Sequence, residues 1–278
     1  MLSYRHAFHA GNHADVLKHL VQTLILQYLV QKAGKPLRYI DTHAGAGSYD
    51  LRKSFSSKNR EYASGILRLW QRDDLPPPLQ DYVNVVRSFN ATGELTYYPG
   101  SPAIAAHILH GDHRLQLFEL HPDDAGRLEQ WAARDRRIRV QQEDGFAALK
   151  AILPPPEKRA LVMIDPPYEV KTDYATAIAA LQLACKKYAT GVYAVWYPLL
   201  AWAQVETLVK KLEAMPVKFL LVELSVRAAG TEGMLGSGMF VINPPWVLEQ
   251  QLADCLPCLQ AALAESGAQP WRLHSSAA

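Results

Sequence analysis

Short apolar-dominated runs recur along this chain, separated by segments long enough for helices, and that alternation restricts the fold more than any other feature. The runs lie at 37–40, 115–118, 138–140, 161–164, 192–196, 219–224 and 239–242. Their Val, Ile and Leu content suits strands covered on both faces. Segments 123–134, 145–153, 172–188 and 201–214 carry apolar residues at helical spacing. The alternation predicts a doubly wound α/β sheet of seven mostly parallel strands. A Gly-rich connection at 225–238 precedes the last run, so the final strand is expected to return as a hairpin partner. The 278 residues are read as a single domain.

Two regions depart from simple alternation. Residues 13–30 predict a helix before the first strand, with Leu17, Leu20, Val21, Leu24, Ile25 and Tyr28 on one stripe, Asp15, His19 and Gln22 opposite and Lys18 at the flank. Gly34 and Pro36 stop it. The gap between the first two runs far exceeds the roughly thirty residues of a βαβ unit. Within it, 64–71 and 79–88 read as helices, so 50–98 is expected to be a small helical subdomain inserted in the main fold. Arg52, Lys53, Lys58 and Arg60 give it a basic edge able to meet phosphates, or simply a solvated face.

Bulk charge says little about partners, because the net charge is only +2 and any nucleic-acid preference must be local. No long apolar run is present and the opening MLSYRHAFHAGNHAD is too polar for a signal peptide, so a cytoplasmic location without membrane contact is expected. Three cysteines are too few for a disulfide framework. Cys255 and Cys258 form a C-x-x-C without further ligands nearby and are read as packing residues. His9 and His13 have i, i+4 spacing, but Gly11-Asn12 interrupts it and no carboxylate or cysteine completes a set, so no metal is expected. The N-terminal stretch is read instead as an arm folded on the site, with Asn12 capping the helix.

Polar residues follow four successive strands, the place where open α/β sheets bind ligands. Asp41-Thr42-His43-Ala44-Gly45-Ala46-Gly47 follows the first and lacks the third glycine of the dinucleotide fingerprint. Glu119 ends the second, placed to accept both ribose hydroxyls. Asp144 ends the third, within hydrogen-bonding reach of an adenine amine, and Asp165-Pro166-Pro167-Tyr168 ends the fourth. The ordered set fits S-adenosyl-L-methionine. An adenine amine is a poor nucleophile because its lone pair is delocalised. Asp165 accepting one N–H and the Pro166 carbonyl the other would hold that lone pair toward a methyl donor, the prolines supplying rigidity. Tyr168 offers a face for an extruded base. Residues 243–246, Asn-Pro-Pro-Trp, match the same loose pattern, but they follow the last strand and are read as a structural strand end.

With these motifs assembled, YRHAFHAGNHADVLKH (4–19), DTHAGAG (41–47), ELHP (119–122), EDG (143–145), DPPY (165–168) and GSGMFVINPPW (236–246) resemble the RlmJ family of large-subunit ribosomal RNA adenine-N6 methyltransferases. The resemblance runs over essentially the whole chain. It implies a class I S-adenosylmethionine-dependent methyltransferase fold, Rossmann-like, with a helical insertion, acting on 23S ribosomal RNA as a monomer without an obligate protein partner. It implies cofactor contacts at His19, His43, Ser101, Glu119, Asp144, Gly145 and Asp165, with Asp165 catalytic. It also implies RNA contacts at Tyr4, His6 and Lys18, beside Pro166 and Tyr168. The residues themselves leave DNA adenine or a protein glutamine amide open as substrates. A nicotinamide oxidoreductase is disfavoured by the missing glycine and by DPPY. A catalytically silent RNA-binding module leaves the coincidence of Glu119, Asp144 and Asp165 without a reason.

Overall fold

The computed structural model describes residues 6–32, 34–52, 60–201 and 203–276. After a 3-10 turn at His6–Phe8, the chain runs through α1 (His13–Val30), β1 (Arg38–Asp41) and β2 (Ser48–Asp50). A 3-10 turn at Glu61–Ser64 leads to α2 (Leu67–Trp70), α3 (Pro77–Ser88), β3 (Tyr97–Pro99) and α4 (Ser101–Ile108). The alternating part follows: β4 (Arg114–Phe118), α5 (Pro122–Ala132), β5 (Ile138–Gln141), α6 (Gly145–Ile152), β6 (Ala160–Ile164), α7 (Thr172–Lys187), β7 (Val192–Leu199) and α8 (Ala203–Glu213). The chain ends with β8 (Phe219–Ser225), β9 (Gly236–Ile242), α9 (Leu248–Leu263) and β10 (Arg272–Ser275).

Eight strands form the main sheet in the order β10-β8-β9-β7-β6-β1-β4-β5. Strands β5, β4, β1, β6 and β7 are parallel, and β9 runs antiparallel between β7 and β8. This is the class I methyltransferase sheet, extended at one edge by β10. All seven expected strands are present. The eighth, Arg-Leu-His-Ser, leaves no apolar run in the sequence because it is short and three of its four residues are polar, as edge strands often are. The order reverses at β1, which pairs with both β4 and β6, so the crevice of a doubly wound sheet opens at its carboxyl end.

Side chains alternate between two cores. Along β6, Leu161 and Met163 join α1, α3 and α9 on one face, while Val162 and Ile164 join α7 and α8 on the other. Ile66, Leu69, Trp70, Leu79, Tyr82 and Val86 of the long β1–β4 connection share the first core with α1. Strands β2 and β3 pair antiparallel as a separate ribbon, Tyr49 opposite Tyr98, and bracket that connection. Helix α1 starts where Asn12 Oδ1 accepts the amides of Ala14 and Asp15 at 3.0 Å. It is not amphipathic in the usual sense: Asp15, Lys18, His19 and Gln22 are as buried as the apolar stripe. Among the described residues no helix is long and apolar enough to cross a membrane.

Candidate active site

The crevice at the carboxyl ends of the parallel strands is a cavity of about 690 Å³. His6, Lys18, His19, His43, Ser101, Glu119, Asp144, Gly145, Asp165, Pro166 and Tyr168 all line it. Topology brings them together from an arm, a helix and four strand ends. Tyr4 lies outside the described residues.

At one end, the loop after β1 is shaped by β4. The Ala44 amide donates to the Phe118 carbonyl at 2.8 Å, and the Gly45 amide to Glu119 Oε2 at 2.8 Å. The second Glu119 oxygen accepts the His121 amide at 2.8 Å, so both oxygens are fixed in direction and each keeps a lone pair. Burial raises the Glu119 pKa, opposed by those two amides. Asp144 caps α6, its Oδ1 accepting the Phe146 amide at 2.9 Å and the Ala147 amide at 3.3 Å. A Cβ on Gly145 would overlap the Thr42 carbonyl, so only glycine lets α6 start this close to the β1 loop. His43 stands edge-on to Phe146 with centroids 4.8 Å apart, and burial lowers its pKa to about 4, leaving it neutral. Ser101 opens α4 and donates to buried Asp41 Oδ2 at 2.6 Å.

At the other end, Lys18 Nζ donates to Asp165 Oδ2 at 2.6 Å and pairs with Asp15 Oδ1 at 2.9 Å. His6 Nε2 meets Asp15 Oδ2 at 3.0 Å, which also accepts the Gly11 amide at 2.8 Å. Burial raises the Asp165 pKa, and Lys18 opposes it. Lys18 stays charged: burial disfavours its ammonium, but Asp15 and Asp165 together outweigh that. His19 is neutral because burial lowers its pKa well below the ordinary value. Its Nδ1 shares a 2.7 Å hydrogen bond with the Tyr98 hydroxyl.

Tyr168 differs from the open platform expected of it. It is 3% exposed, packed against Tyr174 and Trp196, and its hydroxyl donates to the Trp196 carbonyl at 2.9 Å. The prolines before it deliver it at φ 50°, a backbone state rare for a bulky residue.

Arg52 agrees with the solvated-face alternative. It forms a two-toothed pair with Asp50 at 2.9 Å and reaches the Tyr97 hydroxyl. Asp50 lies two residues before Arg52, so the cation is paired within its own chain. Lys53 and Lys58 lie outside the described residues. Asn243 donates to the carbonyls of Ala189 and Gly191, both at 2.8 Å. Because β9 is antiparallel, Ile242 pairs with Tyr193 at the start of β7, and 243–246 emerges on the edge opposite Asp165. Cys255 and Cys258 are free thiols on α9. His9 pairs with Glu61 at 3.0 Å, and among the described residues no cluster of three His, Cys, Asp or Glu could hold a metal.

Asp15 and Trp196 also line the cavity, and neither stood out in the sequence; Asp41, which did, lies buried behind Ser101. Asp15 reads as an ordinary first-turn acid, Asp41 as part of a strand end, and Trp196 as strand interior.

The residues fit S-adenosylmethionine by their acceptors: an oriented carboxylate at Glu119 able to accept hydroxyls and a second at Asp144 able to accept an amine, beside an open loop at Gly45. Comparison with known proteins agrees in kind. The family model described as "Ribosomal RNA large subunit methyltransferase D, RlmJ" matches residues 34–274. A protein of Escherichia coli K12 named "Ribosomal RNA large subunit methyltransferase J" is 51% identical over 96% of this chain and 96% of its own. A protein of the same name from Haemophilus influenzae is 47% identical over 99% of this chain and 98% of its own. The crystal structure of protein LPL1258 from Legionella pneumophila superposes with a TM-score of 0.90 at 38% identity, covering 96% of this chain and 98% of that one. Matches of this extent, on a chain whose motifs converge on one cavity, place it in the RlmJ family of ribosomal RNA large subunit methyltransferases.

Proposed function

We propose that this protein transfers a methyl group from S-adenosyl-L-methionine to the N6 amine of an adenine in 23S ribosomal RNA, as a cytoplasmic monomer. The observation that carries this reading is the convergence of Glu119, Asp144 and Asp165, from three different strand ends, on one cavity. Glu119 would hold the ribose hydroxyls and Asp144 the adenine amine of the cofactor, with Gly45 and Gly145 keeping backbone close. His19, His43 and Ser101 complete the wall: two neutral imidazoles and a hydroxyl tied to Asp41. The cofactor supplies an electrophilic methyl on a positively charged leaving group.

The chain's own work is to orient and desolvate the amine. Asp165 Oδ2 is occupied by Lys18, which leaves Oδ1 to accept one N6 hydrogen while the Pro166 carbonyl accepts the other. Asp165 must be ionised to do so, and Lys18 counters the burial that favours its neutral form. His6 borders the same end through Asp15, and Tyr4 follows as an RNA contact from the family likeness alone. Stacking of the extruded base on Tyr168 would need that ring to leave its contacts with Tyr174 and Trp196.

A tritiated-methyl assay on a ribosomal RNA fragment tests this. Asp165→Asn should fold normally yet lose about a hundredfold or more in kcat, since an amide presents a donor where an acceptor is needed. In the wild type, kcat should fall as pH drops through the raised Asp165 pKa, because the protonated acid no longer accepts. Full activity of Asp165→Asn, or methylation of DNA but not of ribosomal RNA, would sink the reading.

A further inference from the structure

We infer that Asp15 is a positioning residue that fastens the N-terminal arm and the Lys18–Asp165 pair to one buried carboxylate, so that both ends of the catalytic face are set together. The catalytic half of this inference rests on the function proposed above; the fastening of the arm does not.

Asp15 is 1% exposed, although a first-turn aspartate needs only the helix dipole and usually faces water. Its two oxygens divide their partners by origin. Oδ2 takes His6 Nε2 at 3.0 Å and the Gly11 amide at 2.8 Å, both from the arm. Oδ1 takes Lys18 Nζ at 2.9 Å, one turn along α1, with His19 Nε2 4.0 Å away. Lys18 passes the contact on to Asp165 Oδ2 at 2.6 Å. Asp15 also borders the cavity, so its partners are site residues and not a distant part of the core. A purely stabilising ion cluster gives no account of why one carboxylate joins the arm to the carboxylate placed at the reacting amine. Removing Asp15 would take this acceptor from His6 and Gly11 and leave Lys18, among the described residues, paired with Asp165 alone, drawing the ammonium toward the oxygens that the substrate uses.

The test uses the full chain with Asp15→Ala, which removes the acceptor, and Asp15→Asn, which keeps the volume but can serve only one of the two sides. Amide exchange at Gly11 is read by NMR without RNA, cofactor affinity by calorimetry, and methylation of a ribosomal RNA fragment by tritium transfer. In both variants kcat should fall at least tenfold and cofactor Kd should stay within threefold. In Asp15→Ala, Gly11 exchange should rise at least tenfold relative to amides in the middle of α1. In a Lys18→Met background, Asp15→Asn should cost at least threefold less in kcat than it does alone, because one of the two sides it positions is gone. Should the single variants fail to fold, the Asp15→Ala, Lys18→Met double variant removes the Asp15–Lys18 pair together and carries the same Gly11 measurement. Unchanged Gly11 exchange, parallel loss of cofactor binding and melting temperature, or full additivity with Lys18→Met would overturn the inference. If the wild type fails to methylate ribosomal RNA, the proposed function falls with the kcat readouts, while Gly11 exchange still decides whether Asp15 fastens the arm.

Discussion

A carboxylate acquires a role from what already occupies its oxygens. Glu119 spends one lone pair on the Gly45 amide and one on His121, which aims the remaining pairs into the cavity. Asp41, by contrast, has Oδ2 filled by the Tyr39 and Ser101 hydroxyls and Oδ1 accepting the His43 amide, and it is buried outside the cavity lining. This predicts that Glu119→Ala lowers S-adenosylmethionine affinity about thirtyfold, near the ~2 kcal/mol of charged hydrogen bonds. Isothermal calorimetry reads it directly, and a Kd within threefold of wild type would remove Glu119 from the ribose. The sequence marked Glu119, Asp144 and Asp165 because each ends a strand. It could not mark Asp15 or Trp196, since their roles depend on neighbours distant in the chain.

Elements meet at strand ends, and there the tightest fit is backbone against backbone. Helix α6 begins at Gly145 directly under the Thr42 carbonyl, with Asp144 as its cap. Gly145→Ala should therefore push the start of α6 away from the β1 loop, at a cost of about 1–3 kcal/mol as in overpacked cores. Cofactor affinity should fall with it, since His43 and Phe146 lie on either side of that junction. Thermal unfolding with and without S-adenosylmethionine checks both. An unchanged melting temperature would mean that the junction yields easily. Helix α1 shows the limit of periodicity: its apolar stripe was legible, but its polar face is buried too, because the β1–β4 connection folds back over it.

Across the whole molecule, the Pro-Pro turns at 166–167 and 244–245 lie at opposite ends of the strands. Asp165 ends a parallel strand and faces the cavity, whereas Asn243 ends the antiparallel β9 and ties the loop before β7 through two carbonyls. Trp246 beside it is 81% exposed and lines no part of the cavity. Asn243→Ala should accordingly lower stability by about 1–3 kcal/mol, the cost of two unpaired carbonyls, while kcat stays within twofold. Urea unfolding and the methyl-transfer assay together decide it. A large loss of kcat without loss of stability would assign the second turn to the site.

The alternation of apolar runs determined the fold class, because strands buried on both faces and helices at 3.6 spacing leave their pattern in any sequence. Strand-end position likewise exposed Glu119, Asp144 and Asp165, since a doubly wound sheet delivers successive carboxyl ends to one edge. The reversal of β9 was legible in the Gly-rich connection before it, but its insertion between β7 and β8 was not. That pairing sends Asn243 to the far end of the strands, although its local sequence mimics that of Asp165. The ion chain from His6 through Asp15 and Lys18 to Asp165 was likewise decided by tertiary structure, because its last link joins positions 147 residues apart. Charges that far apart in the chain interact only after burial has brought them together and removed the water that would screen them.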